Sequence, residues 1–90
     1  MDKSLRVRIF GEVQGVAFRY EALRMAEELD IRGFARNEPD GSVYIEAEAG
    51  ERDLFLFLKW CRRGPALARV EKVEYEFSDV IKDFHDFVIA

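Results

Sequence analysis

The chain has 90 residues, of which 49% are hydrophobic and eight are phenylalanine, so it can form one domain with a real core but not two. The net charge of −4 argues against a broad surface for nucleic acid or anionic membrane. The single cysteine, Cys61, excludes an intrachain disulfide, and no apolar run approaches the roughly 20 residues of a membrane span. With no apolar signal segment at its start, the sequence predicts one cytoplasmic domain over residues 1–90.

The first third of the chain predicts a strand followed by a helix. Leu5, Val7 and Ile9 alternate with polar or aromatic residues, which is the period of a half-buried strand. Gly11 ends or bends this strand. From Phe18 the apolar spacing becomes helical and predicts a helix that runs to about Asp30.

A hairpin is predicted next. The alternating segments 31–37 and 43–49 flank Pro39-Asp40-Gly41, where proline fixes φ and glycine is free to take a positive value. Glu46 and Glu48 fall on the polar side of the second of these strands, and we expect them to form a solvated edge.

The last third predicts a second helix and one or two strands. Apolar residues from Leu54 to Cys61 repeat at helical spacing, and Gly64-Pro65 is a stop signal. Phe55 widens the apolar side of this helix and is expected in the core. Val73 to Phe77 alternate as a fourth strand, and the short apolar segment Phe84 to Ile89 can add a fifth.

This order of elements, βαββαβ with an extra C-terminal strand, predicts an α+β fold. It is the ferredoxin-like arrangement, an open sandwich with two helices on one face of a mainly antiparallel sheet. If the third strand lies between the first two, the C-termini of those two strands lie at the same end of the sheet. The glycine loop after the first strand and Asn37 would then lie roughly 10 Å apart, two strand spacings.

The stretch from Gly11 to Arg19 is the strongest candidate for a functional site. It joins a strand to a helix N-terminus through a loop that contains Gly15, and the first backbone N–H groups of a helix have no internal acceptor. Arg19 adds a planar fork of donors that suits phosphate or carboxylate. By position alone, Arg19 could equally be a solvated residue of the first helical turn, and Asn37 a residue that stabilises the hairpin turn.

Two motifs resemble those of one enzyme family. The sequence Gly-Glu-Val-Gln-Gly-Val-Ala-Phe-Arg at residues 11–19 resembles the first signature of acylphosphatases, and Gly-Phe-Ala-Arg-Asn-Glu-Pro-Asp-Gly-Ser-Val at 33–43 resembles the second. The segment 60–71 is also similar to what commonly precedes the fourth strand of these enzymes. Together the resemblance covers about Leu5 to Ile89. It implies an open sandwich of ferredoxin-like topology, in agreement with the pattern of elements.

The resemblance implies a reaction and a set of site residues. The reaction is hydrolysis of a small-molecule acyl phosphate to a carboxylate and inorganic phosphate, with no cofactor and no metal. Arg19 matches the family's phosphate-binding arginine, and Asn37 matches its water-positioning asparagine. The phosphate would be held by the loop that the resemblance assigns to substrate binding, namely Gln14, Gly15, Val16, Ala17, Phe18 and Arg19. We expect a monomer without nucleic-acid or membrane partners.

Two other functions fit parts of the sequence. Residues 32–35 imitate the start of an RNA-recognition motif, but residues 36–39 break its aromatic continuation and the chain is acidic. The second alternative is a phosphate-binding or regulatory domain without turnover, since acylphosphatase-like domains also begin larger carbamoyl-phosphate-handling enzymes. The length of 90 residues and the presence of both Arg19 and Asn37 favour a free-standing hydrolase.

Overall fold

The structure, a computed structural model, describes all residues from Met1 to Ala90 and contains five strands and two helices. The elements in chain order are β1 Asp2–Glu12, α1 Phe18–Glu28, β2 Arg32–Asn37, β3 Val43–Gly50, α2 Glu51–Arg63, β4 Arg69–Ser78 and β5 Phe87–Ile89. Neither helix is long and apolar enough to cross a membrane.

The strands form one sheet in the order β4-β1-β3-β2-β5. All neighbours are antiparallel except β2 and β5, which are parallel. Because β1 and β2 both run antiparallel to the central strand β3, they run parallel to each other. Their C-termini therefore lie at the same end of the sheet. The ferredoxin-like α+β prediction and its additional C-terminal strand are confirmed.

Both helices pack on one face of the sheet. Alternate strand residues point to this face, because side chains along a strand alternate between its two sides. The buried hydrophobic residues are Leu5, Val7, Ile9, Val13, Phe18, Ala22, Ala26, Ile31, Ala35, Val43, Ile45, Ala47, Ala49, Leu54, Phe57, Leu58, Trp60, Cys61 and Phe87.

Several predicted boundaries differ from the structure. Helix α1 ends at Glu28, before the predicted end at Asp30, because Asp30 takes a left-handed φ of 56°. Strand β5 starts only at Phe87, since the residues before it cross the sheet without pairing. Strand β1 continues through Gly11 to Glu12, with a shift of its register against β4 between Phe10 and Gly11.

Two predictions of side-chain environment were wrong. Phe55 was expected in the core but is 53% exposed, and its ring rests on Phe77 with the centroids 4.9 Å apart. Glu46 and Glu48 were expected at a solvated edge, yet both lie on the central strand β3, where the Glu46 side chain is 13% exposed and Glu48 only 1%. The chain that joins β4 to β5 passes over Glu48, and the alternation of strand residues carries no information about such a covering segment.

Candidate active site

Two loops meet at the end of the sheet that carries the C-termini of β1 and β2. The β1–α1 loop starts after Glu12, and the β2–β3 turn starts after Asn37. The Gln14 side chain joins them, because its Nε2 donates to the backbone oxygens of Glu38 at 2.8 Å and Ser42 at 2.9 Å. The predicted proximity of the glycine loop and Asn37 is therefore present, with Gln14 as the direct link between the two segments.

The turn beyond Asn37 is held by a short side-chain network. One carboxylate oxygen of Asp40 accepts from the backbone N–H of Ser42 at 2.9 Å and from its hydroxyl at 2.6 Å. These two bonds to Ser42 hold the pKa of Asp40 below its ordinary value. Ser42 is 1% exposed, so the turn presents a fixed carbonyl to Gln14.

The β1–α1 loop has an unusual backbone. Gly15 has a φ of 75° and Ala17 a φ of 65°, with a residue of negative φ between them. Glycine takes this conformation freely, whereas the left-handed region costs an alanine about 1–2 kcal/mol. Backbones that alternate between right- and left-handed conformations turn successive N–H groups toward one side and form concavities that bind anions.

Backbone donors accumulate in this loop and in the first turn of α1. No N–H from Gln14 to Tyr20 donates to a backbone or side-chain acceptor of the chain, and the first helical bond is from Glu21 N–H to the oxygen of Ala17 at 3.0 Å. No side chain caps the helix at Ala17. The unpaired donors therefore lie at the positive end of the helix dipole, where a negative charge is favoured.

Arg19 lies at this helix end without an aspartate or glutamate partner. Its Nη1 donates to the backbone oxygen of Ala90 at 3.1 Å, and it takes part in none of the ion pairs of the chain. Arg8 and Arg36, by contrast, both reach the carboxylate of Glu38. Since an arginine carries five N–H donors, one bond to Ala90 fixes the direction of the Arg19 side chain and leaves donors for an anion.

Arg19 and Asn37 line the same cleft, which has a volume of about 150 Å³. This is smaller than the roughly 300–1,000 Å³ of drug-sized ligand pockets and suits a small group. Asn37 is half-buried, and the side-chain hydrogen bonds around the cleft leave its amide free. The lining residues are Val13, Gly15, Ala17, Phe18, Arg19, Tyr20, Asn37 and Ile89.

The cleft contains most of the predicted site residues and three additional ones. Gln14 and Val16 do not line it: the Gln14 side chain joins the loops, and Val16 packs against the core. Val13, Tyr20 and Ile89 were missed. A parallel pairing of the last strand with β2 would have placed Ile89 here, but three strand residues are too few to show that pairing in the sequence.

No further cluster of reactive side chains accompanies the cleft. Cys61 is fully buried, and the loss of solvation raises the pKa of its thiol, so it stays protonated and unreactive. No group of three or more His, Cys, Asp or Glu residues is placed to hold a metal ion. The functional groups at the cleft are backbone hydrogen-bond donors, the Arg19 guanidinium, the Asn37 carboxamide and the Tyr20 phenol.

Comparison with known proteins identifies the family. The acylphosphatase family profile matches residues 5–89. An acylphosphatase of Paenarthrobacter aurescens is 44% identical over 98% of this chain and 96% of its own, and one of Methylococcus capsulatus is 41% identical over 97% and 95%. The crystal structure of acylphosphatase from Bacillus subtilis superposes with a TM-score of 0.95 at 31% identity, covering 98% of each chain. The chain belongs to the acylphosphatase family.

Membership defines the activity. The chain is an acylphosphatase, a hydrolase that acts on small-molecule acyl phosphates. The resemblance noted in the two sequence motifs is confirmed, as is the predicted enzyme class.

Proposed function

We propose that Arg19 and the backbone amides from Gln14 to Arg19 bind the phosphoryl group of the acyl phosphate. One observation carries this proposal: these amides have no acceptor within the chain, and they lie at an uncapped helix N-terminus beside an arginine without an aspartate or glutamate partner. Charge-assisted hydrogen bonds from guanidinium and amide groups to phosphate oxygens are among the stronger ones in proteins. Donors already fixed in place stabilise the charge of the transition state without reorganisation.

We further propose that Asn37 positions the attacking water. Its side-chain amide offers both a donor and an acceptor, and it lines the cleft together with Arg19. An amide held by β2 can orient a water in line with the leaving carboxylate, which is the positioning that phosphoryl transfer requires.

The reaction then proceeds without a covalent enzyme intermediate. The water oxygen forms a bond to phosphorus while the bond between phosphorus and the acyl oxygen breaks, and the carboxylate leaves with the electron pair. Asparagine is not a base at neutral pH, so the water proton passes to a phosphate oxygen or to solvent. The carboxylate is a good leaving group, so the protein supplies position and positive charge, and we propose that it needs no metal or other cofactor.

The direct test is phosphate release from benzoyl phosphate and acetyl phosphate, without added metal and with a chelator present. The wild-type chain should turn over both compounds. Arg19→Ala should lose a factor of about 10³ or more in kcat/KM, as when a transition-state arginine is removed, while its circular dichroism stays that of the wild type. Substantial residual activity in a folded Arg19→Ala would remove Arg19 from the mechanism.

The same assay separates hydrolysis from phosphate binding without turnover. A domain that only binds would release no phosphate above background, although inorganic phosphate would still raise its melting temperature. We propose that residues 1–90 act as a single cytoplasmic domain, since the lone cysteine fits a reducing compartment. We also propose that the domain is a monomer and that it binds no nucleic acid, which its net charge of −4 does not favour. A sedimentation experiment tests the monomer, and a gel-shift assay with single-stranded RNA tests the absence of nucleic-acid binding.

A further inference from the structure

The carboxylate of Glu48 is buried on the sheet face opposite the helices and takes part in none of the ion pairs of the chain. Glu48 is 1% exposed, and its two oxygens accept from the backbone N–H groups of Lys82 at 2.5 Å and Phe84 at 3.0 Å. A buried charge is costly unless hydrogen bonds replace its hydration. Here the two amides supply those bonds, so the carboxylate and the segment that carries the amides are held to each other.

This segment, residues 79–86, forms a strap between β4 and β5. It joins β4 at one edge of the sheet to β5 at the other edge, so it has to cross the open face. Asp83, between the two donors, has a left-handed φ of 64°, which turns the N–H groups on either side of it toward the same carboxylate. The ring of Phe84 also packs edge-on against Phe34, with the centroids 5.8 Å apart.

The strap continues directly into the cleft. Its last residue, Asp86, accepts from Gly33 N–H at 2.8 Å, and β5 then pairs with β2 up to Ile89. Ala90 N–H donates to the oxygen of Ala35 at 2.9 Å, and the oxygen of Ala90 accepts the bond from Arg19 at 3.1 Å. The only hydrogen bond of the Arg19 guanidinium is thus accepted by Ala90, in the C-terminal segment that follows the strap.

We propose that Glu48 is a positioning residue for Arg19: by holding the strap, it holds β5 and with it the Ala90 oxygen that directs the guanidinium. The inference rests on the proposed role of Arg19 in binding phosphate. Glu48 itself does not line the cleft and touches neither substrate nor reacting atoms.

Glu46 provides a matched control. It lies two positions earlier on β3, so its side chain points to the same face, and it also contacts the strap. Its carboxylate, however, accepts from the side-chain Nζ of Lys82 at 2.8 Å and from the hydroxyl of Tyr44 at 2.6 Å, not from the strap backbone. Glu46→Gln therefore removes a charge beside the strap and leaves the backbone attachment in place.

The experiment compares Glu48→Gln with Glu46→Gln for the KM of benzoyl phosphate and the inhibition constant of inorganic phosphate. We expect Glu48→Gln to raise both constants by about tenfold, the size of coupling found between linked residues, and Glu46→Gln to change them less than about twofold. A variant that only loses stability has fewer active molecules and a lower apparent kcat, but its KM and inhibition constant stay unchanged. Unchanged constants in Glu48→Gln, or equal changes in both variants, would overturn the proposal.

Two further variants keep the test decisive. If Glu48→Gln does not fold, Glu48→Asp keeps the charge but withdraws it by one methylene, and we expect both constants to rise by about threefold. Unchanged constants in a folded Glu48→Asp would equally contradict the proposal. In an Arg19→Ala background, Glu48→Gln should not change the affinity for inorganic phosphate any further, as measured by direct binding. If Arg19→Ala alone leaves that affinity intact, the proposed role of Arg19 fails, irrespective of how Glu48 behaves.

Discussion

At the residue scale, the cleft depends on side chains that face it and on others that hold its walls. Arg19 and Asn37 face the cleft, whereas Gln14 spans the two loops with bonds to two backbone oxygens. Each such bond contributes about 1 kcal/mol to stability. The distinction matters for mutational work, because a wall residue and a facing residue can both lower activity for different reasons.

Arg19 and Asn37 could be predicted from the sequence, but other lining residues such as Tyr20, and the side chains that hold the walls, could not. Arg19 and Asn37 were predicted from their motifs and from the order of elements, which brings two strand ends to one edge. The roles of the Gln14 side chain and of Ala90 depend on which carbonyl oxygens the tertiary structure places within reach. Ile89 and Glu48 depend on the path of the strap, which no local pattern records.

Asp40 yields a prediction about pH at this scale. Its pKa is lowered in the folded state, chiefly by the bonds from Ser42, so its charge adds stability at pH values above the ordinary value of about 3.8. That contribution is lost as the pH falls through the lower, folded value. We expect Asp40→Asn to be less stable than the wild type at pH 7, and the difference to vanish as the pH falls through the lowered pKa of Asp40 in the folded state.

Urea unfolding of the two proteins from pH 7 to pH 2.5 checks this expectation. Glu71→Gln is a suitable control, because Glu71 is exposed and makes no side-chain hydrogen bond or ion pair. A stability difference for Asp40→Asn that stays constant over the whole range would show that the charge is not responsible.

At the scale of elements, β1 and the loop that follows it use their two glycines differently. At Gly11 an added Cβ would lie 2.1 Å from the backbone oxygen of Arg69 on β4, so the position requires the absence of a side chain. At Gly15 no atom lies within 4 Å of such a Cβ, and only the φ of 75° favours glycine. Gly11 thus serves the pairing of strands, and Gly15 serves the shape of the loop.

This difference predicts opposite rankings for stability and activity. Gly11→Ala should lower the free energy of unfolding by about 3 kcal/mol, because two backbone segments have to separate. Gly15→Ala should lower it by only about 1 kcal/mol, the cost of a left-handed alanine. Because Gly15 lines the cleft, its variant should nevertheless show the larger loss of kcat/KM per folded molecule.

Urea titrations and benzoyl phosphate kinetics on the same preparations compare the two variants, at a temperature where both are folded. Equal losses of stability would mean that the strands at Gly11 part without strain. A fully active Gly15→Ala would mean that the loop conformation is not needed for phosphate binding.

At the scale of the whole molecule, the sheet order explains why the site forms where it does. Strand β3 lies between β1 and β2, so the loop after β1 and the turn after β2 lie next to each other at the same end of the sheet. The order of helices and strands was enough to predict this. The crossing from β4 to β5 was not predictable in the same way, because residues 79–86 show neither strand nor helix periodicity and their position depends on the buried Glu48.

In the proposed mechanism the β1–α1 loop binds the phosphoryl group, and Asn37 at the end of β2 positions the water. The most direct test measures binding of inorganic phosphate and turnover of benzoyl phosphate in Arg19→Ala and Asn37→Ala. Arg19→Ala should lose both phosphate affinity and turnover. Asn37→Ala should bind phosphate within about threefold of the wild type while its turnover falls by about 10²–10³. If Asn37→Ala loses phosphate affinity as severely as Arg19→Ala, or if it retains turnover, the assignment of these tasks is wrong.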